Sequence, residues 1–146
     1  MEAVTVYTDG ASRGNPGPSA SGYIIVANGK IIADASEQNP DTTNNVAEYT
    51  AMIKALEWCS KNIEECKNVS LSVISDSQLV VRQMNKIYKV KSAEIKPLMR
   101  RLLDLTRLFG SVKFEHRSRE DPMISMVDSK LNQLLDRLES SKPKVR

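Results

Sequence analysis

Asn28-Gly29 lies between two β-rich runs, residues 20–27 and 30–37, and this dipeptide constrains the fold more than any other pair in the chain. Both residues accept the positive φ that a two-residue turn demands, so the runs are predicted to be adjacent antiparallel strands. The stretch 3–9 (AVTVYTD) also alternates, with Val4, Val6 and Thr8 on one face and Thr5, Tyr7 and Asp9 on the other. Three antiparallel neighbours therefore open the chain. Between the first two, GASRGNPGP packs three Gly and two Pro into nine residues and reads as a turn-rich loop outside any strand.

The period changes after the loop QNPDTTNN. Val46, Tyr49, Ile53, Leu56, Cys59 and Ile63 recur at steps of three and four, which is the helical period, and Thr43 or Asn44 can cap the helix. Val69–Ser75 then reads as a buried strand ending at Asp76, and SQLVVRQMN as a short helix. A strand reached through a helical crossover runs parallel to its predecessor. A second amphipathic helix is predicted over 95–109, with Pro97 tolerable in its first turn, followed by a fifth strand over 111–117 and a last helix from 121 or 125 to 138. The order β-β-β-α-β-α-α-β-α gives an α/β fold: a mixed five-stranded sheet, three antiparallel then two parallel strands, with helices on its faces. At 146 residues the chain holds one domain, taken as 1–140, with 141–146 a flexible tail.

Several chemistries are excluded. The single histidine, His116, rules out a histidine-rich zinc site, and Cys59 and Cys66 lack metal-ligand spacing and are expected as reduced thiols. No stretch approaches the roughly 18 apolar residues of a membrane span, and the first residues alternate instead of forming a signal peptide, so a cytoplasmic protein with no membrane partner is expected, and it is taken as a monomer. The formal charge of +3 hides an asymmetry: residues 1–81 carry five basic and ten acidic groups, and residues 82–119 carry eleven and three. A basic block beside an acidic one suits a polyanion gripped at one place and cations gathered at another; a solvated, lysine-rich helix face is the plainer account.

The acids carry the chemistry. Asp9 and Asp76 each end an apolar strand, and if those strands are parallel neighbours both carboxylates meet at one sheet edge. Two such charges about 4 Å apart repel by about 4 kcal/mol at an effective dielectric of about 20, which a divalent cation offsets. Glu48 falls in the first turns of the long helix. Asp128 shares a stripe with Ile124, Leu131 and Leu135, although Ser125-x-x-Asp128 also fits a capping box. Four inward carboxylates with no sulfur or imidazole describe a site for Mg²⁺ or Mn²⁺, and two ions together suit phosphoryl transfer.

YTDGASRGNPGP, TTNNVAEYTAMIKALE, SDSQLVVRQMN and the late Asp128 together resemble ribonuclease H of type 1, over residues 4–138 and most nearly in its short archaeal and bacterial form. The resemblance implies the ribonuclease H fold and a catalytic, metal-binding set of Asp9, Glu48, Asp76 and Asp128. It implies two Mg²⁺ ions, with Mn²⁺ as an alternative, and endonucleolytic cleavage of the RNA strand of RNA/DNA hybrids to 5′-phosphate and 3′-hydroxyl ends. Asn15, Asn44, Asn45 and Gln78 are implied to contact the RNA strand, since amides can both donate to and accept from a 2′-hydroxyl. The other strand's phosphates need a positive groove, expected from Arg82, Lys86, Lys89 and Lys91 around Tyr88. Two departures stand out. The loop SREDPMIS lacks the family's histidine, which gives Glu120 an auxiliary role, and the stretch from Glu120 to Asp128 is about two residues longer than usual. Double-stranded RNA stays open as a further substrate. The alternatives are another carboxylate-dependent nuclease or transferase of this fold and a catalytically defective hybrid-binding module.

Overall fold

The computed structural model describes residues 2–86 and 89–141. Tyr88 and residues 142–146 of the expected tail lie outside the described residues. The elements run β1 (Glu2–Ser12), β2 (Gly17–Ala27), β3 (Lys30–Thr42), α1 (Asn44–Asn62), a 3₁₀ turn at Cys66–Asn68, β4 (Val69–Ser75), α2 (Gln78–Met84), α3 (Ile95–Thr106), β5 (Ser111–His116) and α4 (Pro122–Ser141). The sheet order is β3-β2-β1-β4-β5. β1, β2 and β3 pair antiparallel, while β4 pairs parallel with β1 and with β5. Asn28 and Gly29 turn the β2–β3 hairpin at φ of 52° and 73°, the conformation the dipeptide predicted.

Strand alternation sorts the core into two layers. On one face Val4 and Val6 of β1 and Leu71 and Val73 of β4 pack against Met52 and Leu56 of α1 and Leu102 and Leu105 of α3. On the other face Ala20 and Ile24 of β2 meet Val127, Leu131 and Leu135 of α4, with Tyr7 and Ala11 of β1 alongside. β1 is thus covered on both sides, and its odd-numbered residues face α4. Burial of each large aliphatic side chain stabilises by about 1.5–3 kcal/mol, so α4 is held mainly by its apolar stripe.

Four expectations are corrected. The Gly- and Pro-rich segment is less of a loop than its composition suggests. β1 continues through Ser12 and β2 starts at Gly17, leaving only Arg13 to Pro16 outside the strands. Gly10 belongs to β1 because α1 crosses it closely, and Pro18 sits where the β2–β3 register shifts. Likewise β3 extends through Pro40 to Thr42, which an edge strand permits because the missing N–H needs no partner. At α4 the cap is Asp121, whose Oδ1 accepts from the backbone N–H groups of Met123 (2.9 Å) and Ile124 (3.2 Å). Ser125 and Asp128 therefore lie inside the helix and form no capping box. Ser141, assigned to the tail, is the last residue of α4.

Candidate active site

The parallel register of β1 and β4 places two acids at one level. Tyr7 is opposite Ile74, so Asp9, still within β1, and Asp76, just past the end of β4, are each two residues further on and stand level. Thr43 caps α1, its Oγ1 accepting from the Val46 N–H at 3.3 Å, which directs the first turns of α1 onto the end of β1. There Gly10 meets the helix backbone: a Cβ on Gly10 would lie 2.2 Å from the carbonyl carbon of Ala47. This contact brings in Glu48. Its Oε1 accepts from the Gly10 N–H at 2.9 Å and its Oε2 from the Ser75 hydroxyl at 3.1 Å.

Asp9, Glu48 and Asp76 each offer an oxygen, and the three oxygens lie within 4.8 Å of one another. Asp9 and Glu48 are buried and Asp76 is nearly so. Among the described residues, Asp9 Oδ2 is buried without any hydrogen-bond partner. A carboxylate oxygen withdrawn from water, unpaired and facing two further acids is costly unless it meets a proton or a cation. The donor set is entirely oxygen, which matches a hard divalent ion. The residues therefore fit the group that the sequence pattern implied.

The electrostatics agree. Burial, then the charges of Glu48 and Asp76, push the Asp9 carboxyl far above the carboxylate range. Burial and the Asp76 charge raise Glu48 to about 7, opposed by the Gly10 N–H and the Ser75 hydroxyl. An acid whose pKa is higher in the folded chain holds its proton more tightly when folded. Its contribution to stability is intact below the ordinary carboxylate range and is lost as pH rises through the folded value. The metal-free protein is accordingly expected to lose stability from about pH 4.5 through neutrality, and Mg²⁺ is expected to reverse the loss. Melting temperatures measured against pH with and without chelator check this; a metal-free protein that gains stability over that range contradicts it.

Asp128 stands beside this trio and not within it. Its charge acts on Asp9, but Val127 occupies the buried stripe of α4 while Asp128 is half-buried at its edge. Asn132, one turn later, donates its Nδ2 to Asp128 Oδ2 at 3.3 Å. Glu120 is exposed on the β5–α4 turn and is not among the clustered acids. Its neighbour Arg119 was missed by sequence reasoning and reaches the site: Nε donates to Asp76 Oδ2 at 3.1 Å. The guanidinium is itself mostly solvent-exposed and is held charged by Asp76 and Asp128. Ser75 and Gly10, the two donors to Glu48, were also not singled out; a Ser directly before a strand-ending Asp was the available signal.

The amides named from the sequence divide. Asn15 Oδ1 accepts from the Asn44 N–H at 3.1 Å, and Asn44 Oδ1 accepts from the Ser12 N–H at 2.9 Å and the Ser12 hydroxyl at 3.1 Å. Both thus brace the turn against the start of α1. Asn15, Asn44 and Asn45 line a cleft of about 340 Å³ with Ser92 and Glu94. Gln78 is exposed at the first residue of α2. Of the basic residues, Lys86 and Lys89 open onto a cleft of about 470 Å³ floored by Val90, Met99 and Leu103. Lys96 and Arg100 of α3 line the same cleft; the sequence placed them in its basic block without assigning them a role. Arg82 lies half-buried in α2 and Lys91 is exposed, and neither lines that cleft.

Comparison with known proteins accords with this geometry. The family model described as RNase H matches residues 1–140. Ribonuclease HI of Halobacterium salinarum is 33% identical over 134 residues, 91% of this chain and 64% of that protein. A bifunctional protein of Mycobacterium tuberculosis is 32% identical over 77% of this chain and 30% of its own length, so the chain spans less than two thirds of these curated relatives. The N-terminal RNase H domain of a Mycobacterium tuberculosis protein, solved as a fusion with maltose-binding protein, superimposes with a TM-score of 0.87 at 29% identity. That match covers 97% of this chain and 99% of the other. A ribonuclease H1 isolated from compost, solved in complex with an RNA/DNA hybrid, has a TM-score of 0.85 at 34% identity, covering 92% and 98%.

Proposed function

The chain belongs to the RNase H family, and from that premise we propose that it is an endonuclease hydrolysing the RNA strand of RNA/DNA hybrids. The observation that carries this reading is the cluster of Asp9, Glu48 and Asp76, in which Asp9 Oδ2 is buried without a hydrogen-bond partner among the described residues. Asp9 would ligate two Mg²⁺ ions, or Mn²⁺ in their place, with Glu48 and Asp76 completing one position and Asp128 the other. Bound there, such ions would supply an activated water and neutralise charge on the departing oxygen, chemistry that would leave 5′-phosphate and 3′-hydroxyl ends. The protein's own work is placement. The Gly10 N–H and the Ser75 hydroxyl fix both oxygens of Glu48, and the β1–β4 register fixes Asp9 against Asp76. Arg119 holds Asp76 from the solvent side. No side chain is required as nucleophile.

Substrate choice rests on the flanking groups. Gln78 and the amide NH₂ groups of Asn44 and Asn45 would present donors toward a minor groove, where a 2′-hydroxyl distinguishes RNA from DNA. Lys86 and Lys89, joined by Lys96 and Arg100, give the DNA strand's phosphates a positive channel. Double-stranded RNA shares part of that groove geometry and is a secondary substrate in this reading. The enzyme works as a cytoplasmic monomer; among the described residues no helix is long and apolar enough to cross a membrane.

End-labelled RNA/DNA, DNA/DNA and RNA/RNA duplexes, each with Mg²⁺, Mn²⁺ or chelator, test the proposal. Cleavage confined to ribonucleotide strands and abolished by chelator is expected; cutting of DNA/DNA, or activity in chelator, overturns it. For the channel, Lys86→Ala with Lys89→Ala on an Asp9→Asn background is expected to reduce the slope of log affinity against log salt by about 2, one for each lost phosphate contact. An unchanged slope removes these lysines from the interface.

A further inference from the structure

Arg13 protrudes from the β1–β2 turn and grips the middle of α4. Its Nη2 lies 2.6 Å from Asp136 Oδ1 and its Nη1 3.1 Å from Glu139 Oε1, and Nη2 also donates to Asn132, to the backbone O at 3.3 Å and to Oδ1 at 3.4 Å. The other end of the Asn132 amide donates to Asp128 Oδ2 at 3.3 Å. This chain of contacts has one consistent polarity. A guanidinium only donates, so the amide atom facing it must be oxygen; a carboxylate only accepts, so the atom facing it must be the NH₂ group. A flipped amide would mismatch both ends at once.

We propose that Asn132 is a positioning residue for Asp128, with its amide oriented by Arg13. The inference rests on the reading of Asp128 as an ion ligand given above. Asp128 needs such help more than the other acids do. Glu48 has two donors fixed on buried backbone and side chain, and Asp76 has Arg119, whereas Asp128 sits half-buried at the edge of its helix stripe. A donor on one oxygen restrains the carboxylate rotamer and leaves the other oxygen available to an ion. Arg13 adds a second constraint, because the turn it leaves is continuous with β1, the strand that carries Asp9. Gripping α4 there sets the position of Asp128 relative to Asp9.

Magnesium titration of the metal-free protein by calorimetry tests this independently of turnover. Asn132 is exposed, so Asn132→Leu is expected to keep the melting temperature within about 2 °C while weakening Mg²⁺ binding about tenfold, the usual scale for losing an outer-shell partner. At fixed Mg²⁺ kcat falls by a similar factor and KM for the hybrid stays within about twofold. Asn132→Gln, which keeps the amide, recovers ion affinity to within about threefold of the parent. In an Asp128→Asn background Asn132→Leu produces no further loss of ion affinity, because the group it positions is already impaired. Parent-like Mg²⁺ binding by Asn132→Leu, or an equal loss in both backgrounds, overturns the proposal. Asp9→Asn separates the two levels of inference. If Asp9→Asn binds Mg²⁺ as the parent does, the ion-site reading fails; if Asp9→Asn loses binding while Asn132→Leu keeps it, only the role of Asn132 fails.

Discussion

Replacing Asp9 with Asn is expected to reduce Mg²⁺-dependent cleavage by at least about a thousandfold, a loss of about 4 kcal/mol of transition-state stabilisation. The same variant is expected to melt at a higher temperature than the parent in chelator at neutral pH. Both effects have one cause. Asp9 is buried against Glu48 and Asp76, its Oδ2 has no partner among the described residues, and burial with like charge opposes its ionisation. An uncharged amide of the same shape relieves that repulsion in the metal-free fold but cannot take the place of an anionic ligand. Hybrid binding, assigned in the proposed function to the basic channel and the amides, is expected to change by less than about threefold. Cleavage rates, chelated melting curves and binding isotherms for the one variant check the three statements. Destabilisation by Asp9→Asn in chelator would mean that the carboxylate is satisfied in the metal-free fold and is no vacant ligand.

Gly10→Ala is expected to have the second largest effect, through geometry alone. The added methyl would lie 2.2 Å from Ala47 C, 2.4 Å from Ala47 O and 2.4 Å from Glu48 N, all backbone atoms of α1 that no rotamer change can clear. The helix must move off β1. Overpacking of this kind costs about 3 kcal/mol, and the movement also breaks the Gly10 N–H bond that holds Glu48 Oε1. Denaturant unfolding and cleavage should therefore fall together, with ion affinity lowered even where the variant stays folded. Parent-like stability of Gly10→Ala would show that α1 does not rest on this position.

Much of this was legible in the chain itself, for identifiable reasons. Asn28-Gly29 fixed a hairpin because few dipeptides accept two positive φ angles, and the change of period near Val46 marked the first crossover. Asp9 and Asp76 could be paired because each follows an apolar strand run, and the parallel register sets them level even though β1 continues past Asp9 to Ser12. The Gly- and Pro-rich segments were misread because composition cannot tell a glycine that turns the chain from one that admits a neighbouring helix; Gly10 is the second kind. Asp128 was assigned to an inward stripe by spacing, but a helix turns 100° per residue, and Val127 took the buried direction instead. Arg119 and Arg13 were out of reach for another reason. Long, exposed side chains span several ångströms from turns, so their contacts with Asp76 and Asn132 follow from tertiary placement and leave no periodic trace.

The central claim is that three carboxylates, drawn from the interior of β1, the end of β4 and the helix α1, form a site that captures divalent cations. Calorimetric titration of Mg²⁺ into the metal-free protein and into its Glu48→Gln variant at neutral pH tests it most directly. Saturable binding in the parent, accompanied by proton release from the raised Asp9 and Glu48 carboxyls and lost in Glu48→Gln, is the predicted result. Equal Mg²⁺ affinity in the two proteins, with no proton release in either, would contradict it.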